Sequence, residues 1–331
     1  MKTLKKVLSF LGTNDIKLVL SLDGGGVRAI AQVIFLQELE RSLGKPTHEI
    51  FDFFLGTSAG SANLACLAAQ EMEARDILGF WSEENLKETM SKSFWDNASF
   101  LQTKPKYDSK GKEKVLSEYF GEQKLGESKN PMGVLTYDIE SRTPRILSSY
   151  ASPEISVKNA VIASSAAPIY YPTYQIEDGS WLIDGGIVAN NPCLIAYSEA
   201  KKLFPNSRIK VLSIGTGINR KKISGPRSAK WGALSWMRHD ILGVMLESSM
   251  YHEIITDLIG NDYLRINSPL GRVNRRMDDN SKSNLERVND MGLSWWNDFG
   301  NQTKKLLSKY CLLYTSPSPR DYAASRMPSS A

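Results

Sequence analysis

The chain has 331 residues, of which 41% are hydrophobic and 23% are charged, and its formal net charge is +5. This length allows one large domain with a substantial core, and the composition is typical of a globular protein, which excludes an intrinsically disordered chain. Because no apolar run approaches the roughly 20 residues that a membrane-spanning helix needs, we expect a cytoplasmic protein without transmembrane helices.

The predicted secondary elements alternate between strands and helices along the chain. Apolar or alternating segments predict strands at 17–22, 50–55, 134–137, 145–148 and 209–214, with a short apolar segment at 181–183. Apolar residues at helical spacing predict helices at 27–39, 61–69, 71–90, 157–164, 233–258 and 284–308, and another after Pro192. Residues 93–114 are polar and lysine-rich, which indicates a surface loop. The alternation predicts one layered α/β domain over residues 17–310.

Both ends of the chain differ from the region between them. Residues 1–16 begin with lysines and a short apolar run, as a secretion signal does. The run is too short and lacks an Ala-x-Ala cleavage site, so we predict a peripheral segment, with secretion as the alternative. The Ser- and Pro-rich residues 311–331 resemble the in-frame translation of a sequencing-library adapter. We interpret them as an assembly artefact and exclude them from the fold; a disordered native tail is the alternative.

Cysteines and histidines give no indication of a disulfide framework or a metal site. Cys66, Cys193 and Cys311 show no paired spacing, which agrees with a reducing compartment. The three histidines are scattered, and the sequence contains no H-x-x-x-H or C-x-x-C grouping. We therefore predict neither a metal nor a cofactor.

A glycine-flanked serine follows the predicted strand at 50–55. Gly56-Thr57-Ser58-Ala59-Gly60 fits the pattern G-x-S-x-G and leads into the predicted helix at 61–69, so Ser58 lies on a strand-to-helix turn. Glycines at both ends let the strand and the helix approach closely and leave the serine hydroxyl exposed above the sheet. The turn indicates a hydrolytic nucleophile, although the pentapeptide by itself has low specificity.

Three consecutive glycines follow the first predicted strand and admit two functional hypotheses. As Gly24-x-Gly26-x-x-Ala29 between a strand and a helix, they fit a dinucleotide fingerprint that holds a pyrophosphate on backbone N–H groups. Beside Ser58, the N–H groups of Gly25 and Gly26 would instead form an oxyanion hole for an ester carbonyl. A flexible turn is the simplest alternative, although consecutive glycines are conformationally costly.

Asp184 is the predicted base for Ser58. A serine hydroxyl is a poor nucleophile and needs a proton acceptor within about 3 Å. Gly185 and Gly186 follow Asp184 and allow a sharp turn that would place its carboxylate beside the serine. Because an exposed aspartate is a weak base, we expect Asp184 to be partly desolvated, with a raised pKa.

The sequence also offers other proton acceptors. Asp178 precedes a glycine too, but Asp-Gly is a common turn pair and this position is the better example of a plain turn. A turn aspartate is also the structural alternative for Asp184. His239 or His252 would complete a triad of the usual serine-hydrolase kind.

Together, these motifs and their order resemble the patatin-like phospholipases. The segments that carry the resemblance are D-G-G-G-V-R at 23–28, G-T-S-A-G at 56–60, S-S-A-A-P at 164–168, D-G-G at 184–186, V-A-N-N-P at 188–192, S-I-G-T-G at 213–217, and Y-L-R-I at 263–266 with M-D-D at 277–279. They follow the family's order over residues 17–300. Ala29 replaces the glycine that is usual in patatins, but related cytosolic phospholipases carry alanine there.

The resemblance implies a three-layer α/β/α fold with a nucleophile elbow and hydrolysis of lipid acyl esters by a Ser-Asp dyad. By this likeness Ser58 is the nucleophile, Asp184 is the base, and Gly25 and Gly26 form the oxyanion hole. The expected enzyme is a phospholipase A or lysophospholipase that forms an acyl-serine, touches a membrane surface transiently and has no nucleic-acid partner. The alternatives are acyl transfer by the same dyad, a nucleotide-binding module, and a non-catalytic lipid-binding protein.

Two further features are predicted near this site. Arg28, on the first helical turn after the glycines, would contact a substrate phosphate or form a structural salt bridge. The basic and aromatic segment 230–238 would form a lip that touches the membrane, but the apolar face that continues after it favours an ordinary core helix. Lysine-rich loops at 104–114 and 220–230 would favour anionic bilayers or are simply solvated surface.

Overall fold

A mixed β-sheet forms the centre of the computed structural model, which describes residues 15–91, 104–232, 235–236, 243–244 and 250–307. Within these residues the sheet has eight strands. In chain order they are β1 (Ile16–Leu22), β2 (Phe53–Thr57), β3 (Met132–Asp138), β4 (Thr143–Ser148), β5 (Tyr174–Gln175), β6 (Trp181–Asp184), β7 (Arg208–Ile214) and β8 (Tyr263–Ile266). Their order across the sheet is β5-β6-β3-β2-β1-β7-β8, and β4 pairs with β3 outside this path.

The direction and register of the strands bring two chain segments together at one end of the sheet. Strands β3, β2, β1, β7 and β8 are parallel neighbours, whereas β6 runs antiparallel to β3. The register pairs Asp184, the last residue of β6, with Thr136. The preceding residue of β3, Leu135, pairs with Thr57 at the end of β2. Asp184 is therefore carried to the end of β2, where Ser58 follows.

Helices cover both faces of this sheet. They are α1 (Ile30–Leu43), α2 (Thr47–Ile50), α3 (Ala59–Ala68), α4 (Ala74–Phe80), α5 (Glu83–Thr89), α6 (Ser109–Phe120), α7 (Val157–Ser164), α8 (Gly186–Ala189), α9 (Cys193–Leu203), α10 (Gly225–Ser228), α11 (Met250–Ile259) and α12 (Lys282–Leu306).

Alternation along β1 separates two hydrophobic cores. Leu18, Leu20 and Leu22 belong to a core with residues of α1, α3, α7 and α12. Val19 points to the opposite face, into a second core with residues of α9 and α11. Successive side chains of a strand point to opposite faces of a sheet, so a strand that is apolar throughout can serve two layers of helices. The three-layer α/β/α prediction is confirmed.

The predicted helix over 71–90 is wrong as a single element. The chain forms α4 and α5 instead, and the break falls at Trp81 and Ser82. The Ser82 hydroxyl accepts a hydrogen bond from the Asn85 N–H at 3.3 Å and so caps the second helix. A serine that satisfies a free N–H group at a helix start competes with continuation of the preceding helix.

The predicted loop over 93–114 is also wrong in its second half, because α6 begins at Ser109. Asp108 caps this helix by accepting a hydrogen bond from the Lys110 N–H at 2.7 Å. The helix buries Val115, Leu116 and Phe120, whereas its first turns are lysine-rich. The strand predicted at 50–55 is shifted, since Ile50 ends α2 and β2 covers 53–57.

Several predictions concern residues outside the described ranges. These are the N-terminal segment up to residue 14, residues 93–103 of the predicted loop, most of the predicted helix before Met250, and the tail from 308 onward. In the basic and aromatic segment 230–238, the described rings of Trp231 and Trp236 meet edge to face, with centroids 5.1 Å apart. Among the described helices, none has the length and apolar character needed to cross a bilayer.

The contact between α12 and α1 allows a test of the packing. A Cβ atom at Gly292 would lie 2.7 Å from the Cβ of Ile34 and 2.9 Å from the carbonyl oxygen of Ala31. We expect Gly292→Ala to lower the free energy of unfolding by about 1 to 2 kcal/mol, because overpacking outweighs the better helix propensity of alanine. Urea denaturation followed by circular dichroism measures the change. Ser294→Ala, on the exposed face of the same helix, is the control and should change it by less than about 0.5 kcal/mol. Unchanged stability of Gly292→Ala would contradict the packing.

Candidate active site

Ser58 occupies a strained turn between β2 and α3. Its backbone angles are φ 53° and ψ −126°, a conformation that a side chain rarely adopts. The turn is held by the Ser58 N–H, which donates to the Ser164 hydroxyl at 3.0 Å. A Cβ at Gly60 would lie 2.5 Å from the Leu22 carbonyl oxygen, so α3 approaches β1 only because this residue lacks a side chain. Gly56 packs against Gly60 in the same way. The predicted elbow is present, and the Ser58 side chain is partly exposed.

The glycine loop after β1 is enclosed by the second half of the chain. A Cβ at Gly25 would lie 2.2 Å from the Thr216 hydroxyl oxygen. Gly26 has a positive φ of 58°, and a Cβ there would lie 2.0 Å from the Met277 carbonyl oxygen. Both positions therefore require glycine, which argues against the flexible-turn alternative.

The amides of this loop differ in their bonding. The Gly24 N–H donates to the Asn190 carbonyl at 3.1 Å, and the Asn190 side chain returns a bond to the Gly24 carbonyl at 3.1 Å. Within the part of the chain that the structure describes, the N–H groups of Gly25 and Gly26 donate to no other protein group. Both residues line the cavity beside Ser58. Their amides are therefore available to a ligand.

Arg28 and Ala29 lie behind the loop. Arg28 is 5% exposed and donates from Nε to the Gly25 carbonyl at 3.3 Å, so this contact is structural. Ala29 is fully buried, and its carbonyl accepts a hydrogen bond from the Asn63 side chain at 3.0 Å. The methyl group that replaces the usual glycine hydrogen is thus accommodated at the start of α1.

A buried ion pair fixes the loop, and the sequence did not reveal it. Arg265 of β8 donates to Asp23 and, at 2.6 Å, to the Ser213 hydroxyl. Burial acts to lower the pKa of Arg265, but the charge of Asp23 and its hydrogen bond outweigh burial and raise it. Burial also raises the pKa of Asp23, against the opposing charge and hydrogen bonds of Arg265. The pair ties the first residue after β1 to β8.

Asp184 lies at the end of β6 with its carboxylate buried. Its side chain is 5% exposed, its N–H donates to the Ala166 carbonyl at 3.1 Å, and its Oδ1 accepts the Gly186 N–H at 2.7 Å. A Cβ at Gly185 would lie 2.2 Å from the Leu135 carbonyl oxygen, so the turn packs directly on β3.

Burial raises the pKa of Asp184 to about 6. The nearby Ser58 side chain, the Gly186 N–H and the charge of Lys112 each act in the opposite direction but do not cancel the effect of burial. The structure therefore places Ser58 close enough to influence the Asp184 carboxylate, and burial makes this carboxylate a stronger base than an exposed aspartate.

The two glycine amides, Ser58 and Asp184 open onto one cavity of about 150 Å³. Much of its wall is apolar or aromatic, from residues Ala62, Phe80, Trp81, Leu86, Leu116, Val161, Pro168 and Ile187. An apolar cavity with a few converging polar groups suits a ligand with a hydrocarbon chain and one reactive polar centre.

The other acceptors considered from the sequence lie elsewhere. Asp178 accepts the Ser180 N–H at 3.0 Å and pairs with Arg145, as a turn aspartate does. His252 contacts the Tyr263 hydroxyl at 3.1 Å and does not line the cavity. His239 lies outside the described residues. Lys112 does line the cavity, although the sequence placed it in a solvated loop.

The raised pKa of Asp184 predicts that replacing this residue by asparagine raises the free energy of unfolding, and that the increase depends on pH. Its ordinary value is 3.8 and the folded value is about 6, so the folded state binds the proton more tightly and the free energy of unfolding falls as pH rises through this window. Asp184→Asn should therefore be more stable than wild type by about 2 to 3 kcal/mol above pH 6, with no gain near pH 4. Urea denaturation at both pH values measures this difference. Asp178→Asn, at the turn, should gain nothing at pH 8, and an equal gain for Asp184→Asn at both pH values would refute the assignment.

Comparisons with known proteins agree with this architecture. A family model described as patatin-like phospholipase matches residues 20–197. Patatin-like protein 4 of Arabidopsis thaliana is 32% identical, over 83% of this chain and 82% of its own length. A cGAMP-activated phospholipase of Pseudomonas aeruginosa is 30% identical, over 75% of this chain and 77% of its own length.

A solved structure shares the fold at low sequence similarity. The crystal structure of VipD from Legionella pneumophila superposes with a TM-score of 0.54 and 13% identity, over 89% of this chain and 67% of that chain. This likeness concerns the fold alone, whereas the family match and the sequence relatives confirm the resemblance found in the motifs. The chain therefore belongs to the patatin-like phospholipase family, and thus to the lipid acyl hydrolases.

Proposed function

We propose that this protein is a serine acyl-ester hydrolase of phospholipase A or lysophospholipase type, with Ser58 as nucleophile and Asp184 as base. The observation that carries the proposal is the meeting of the Ser58 hydroxyl and the buried Asp184 carboxylate at one cavity. His252 does not support a conventional triad, because its ring contacts the Tyr263 hydroxyl and it does not line the cavity.

The proposed reaction proceeds in two steps. In the first, Asp184 takes the proton of the Ser58 hydroxyl as its oxygen attacks the acyl carbonyl, and the negative oxygen that forms accepts hydrogen bonds from the amides of Gly25 and Gly26. Collapse of this intermediate expels the lipid alcohol, which receives the proton from Asp184. In the second, water loses a proton to Asp184 and attacks the acyl-serine, and the fatty acid leaves as Ser58 regains its proton.

The shape of the site is consistent with a lipid substrate. The apolar residues Phe80, Leu86, Leu116 and Val161 would surround the acyl chain, and the ester carbonyl would lie between Ser58 and the glycine amides. The turn with positive φ at Ser58 leaves this residue partly exposed at the cavity, where it can meet an ester carbonyl.

Loss of either member of the dyad should abolish hydrolysis. We expect Ser58→Ala and Asp184→Asn to lower kcat/KM by at least about a thousandfold, because each removes a group that acts in the transition state. Mass spectrometry of the products from a mixed phospholipid panel measures the activity. Ser141→Ala and Asp178→Asn, both at surface turns, are the matched controls and should retain wild-type rates. Near wild-type activity of Asp184→Asn, or loss of activity in His252→Ala, would overturn the assignment.

The wild-type rate should also depend on pH in a defined direction. Since Asp184 must be ionised to accept the proton and burial raises its pKa to about 6, kcat/KM should fall tenfold per unit below that value.

We further propose that the enzyme contacts anionic membrane surfaces through a basic face made of two loops. The loop at 219–232 carries Arg220, Lys221, Lys222, Arg227 and Lys230 and no acidic residue. It joins the loop at 267–277, which carries three arginines and no acidic residue, through the paired residues Ile218 and Pro269. Met277, at the end of the second loop, lines the cavity, so this face lies beside the site.

Charge reversal tests this surface. The variant Lys221→Glu/Lys222→Glu should bind vesicles of phosphatidylcholine with phosphatidylglycerol about tenfold more weakly or worse, since each basic residue near an anionic surface contributes about 1 kcal/mol. Cosedimentation at low and high salt measures the binding. The control Lys129→Glu/Lys202→Glu has the same net charge and reverses exposed lysines elsewhere, so it should bind like wild type. Equal loss in both double variants would contradict a defined face.

A further inference from the structure

Helix α6 delivers a lysine into the cavity. Lys112 is 7% exposed and donates to the carbonyl and the hydroxyl of Ser165, at 2.8 and 3.1 Å. Its ammonium also lies over the ring of Tyr171, 3.3 Å from the centroid. The helix can lie this deep because Gly111 packs on the end of α5, where a Cβ would lie 2.0 Å from the Glu88 carbonyl oxygen.

Burying an ammonium group costs free energy unless hydrogen bonds or an opposite charge compensate for the lost hydration. Among the described residues that line the cavity, Lys112 is the one basic side chain and Asp184 the one acidic side chain. Lys112 and Asp184 form no direct ion pair within the described structure. Each affects the pKa of the other by its charge. Burial lowers the pKa of Lys112 to about 7, and the charge of Asp184 opposes this shift.

Lys112 is also linked to Asp184 through the backbone. Its ammonium holds the carbonyl of Ser165, and the carbonyl of the next residue, Ala166, accepts the Asp184 N–H at 3.1 Å. The lysine therefore fixes the segment on which the end of β6 rests. Fixing this segment limits the positions that the carboxylate can take relative to Ser58.

We propose that Lys112 is a positioning residue for Asp184. The charge of Lys112 favours the ionised form of the Asp184 carboxylate, and its hydrogen bond to Ser165 holds the segment 165–166, which supports the end of β6. This inference rests on the proposed Ser58–Asp184 dyad. The lysine touches no reacting atom in this scheme, and its effect on hydrolysis passes through the base.

The other titratable groups around Lys112 leave this pairing intact. Burial raises the pKa of Tyr171, which therefore stays neutral in the range of the assay, and Tyr170 lies on the same loop at the cavity. On the side of α5, Glu88 pairs with the exposed Lys114 at 3.4 Å. Asp278, which acts on Tyr171, is itself paired with Lys106 and Arg276.

The pH profile of kcat/KM tests the proposal with fluorogenic phosphatidylcholine and phosphatidylglycerol analogues in mixed micelles. Lys112→Met should move the acidic limb to higher pH by about half a unit, less than the 1 to 3 units typical of direct ion pairs, and so lower kcat/KM about threefold more at pH 5.5 than at pH 8. Lys112→Arg, which keeps the charge, should leave the limb in place. Lys114→Met, an exposed lysine of the same helix, is the matched control and should change nothing.

The outcomes separate this inference from the proposed function. If Ser58→Ala and Asp184→Asn retain activity in the same assay, the dyad itself is wrong. If they lose it but Lys112→Met lowers the rate equally at every pH, the lysine is merely structural and the inference fails. A change confined to KM for the anionic substrate would also overturn it, because Lys112 would then bind a head group. Lys112→Gln gives the same readout should the methionine variant fail to fold.

Discussion

The approach of α3 to the ends of β1 and β2 without intervening side chains is the constraint on which the site depends. A Cβ at Gly60 would lie 2.5 Å from the carbonyl oxygens of both Leu22 and Asp23. Because glycine removes this clash, the first turn of α3 sits directly on the end of β1. Ser58 is then adjacent to the glycine loop, and its Cβ lies 3.0 Å from where a Cβ of Gly24 would be. Ser58 and the amides of Gly25 and Gly26 reach the same cavity because glycines at the contact let the two segments approach closely.

Asp23 and Asp184 lie at the same end of the sheet, but their side chains have different surroundings. Asp23 is buried against Arg265, whose guanidinium satisfies the carboxylate and holds it in a structural role. Asp184 is equally buried but makes no ion pair within the described residues, and its Oδ1 accepts a hydrogen bond from the Gly186 N–H. Burial raises the pKa of both carboxyl groups, against the opposing effects of Arg265 on Asp23 and of Gly186, Ser58 and Lys112 on Asp184. The two aspartates differ in what they face, because Asp184 lines the cavity beside Ser58 whereas Asp23 does not.

The sequence predicted the parts of the site whose geometry is local. Tight turns at Ser58 and Asp184 need glycines beside them, and those glycines are visible as short motifs. The alternation of strands and helices also predicted a layered α/β domain, and the resemblance to the family implied its three layers. Arg265 was not recognised as a site residue, since its partner Asp23 is 242 positions away and no local pattern joins them. Lys112 was obscured by the lysines around it, and only its helical register with the buried Val115 and Leu116 distinguishes it from a solvated residue.

Residues beyond the segment that matches the family model enclose the glycine loop. The family match at residues 20–197 includes both members of the proposed dyad and the glycine loop. It omits Thr216 and Met277, which pack against Gly25 and Gly26, and Arg265, which binds Asp23 at the start of the loop. A fragment limited to residues 20–197 would therefore lack the residues that enclose Gly25 and Gly26 on the side now closed, although it would keep Ser58 and Asp184. The segment that identifies the family is therefore shorter than the segment needed to enclose the site, which extends at least to Met277.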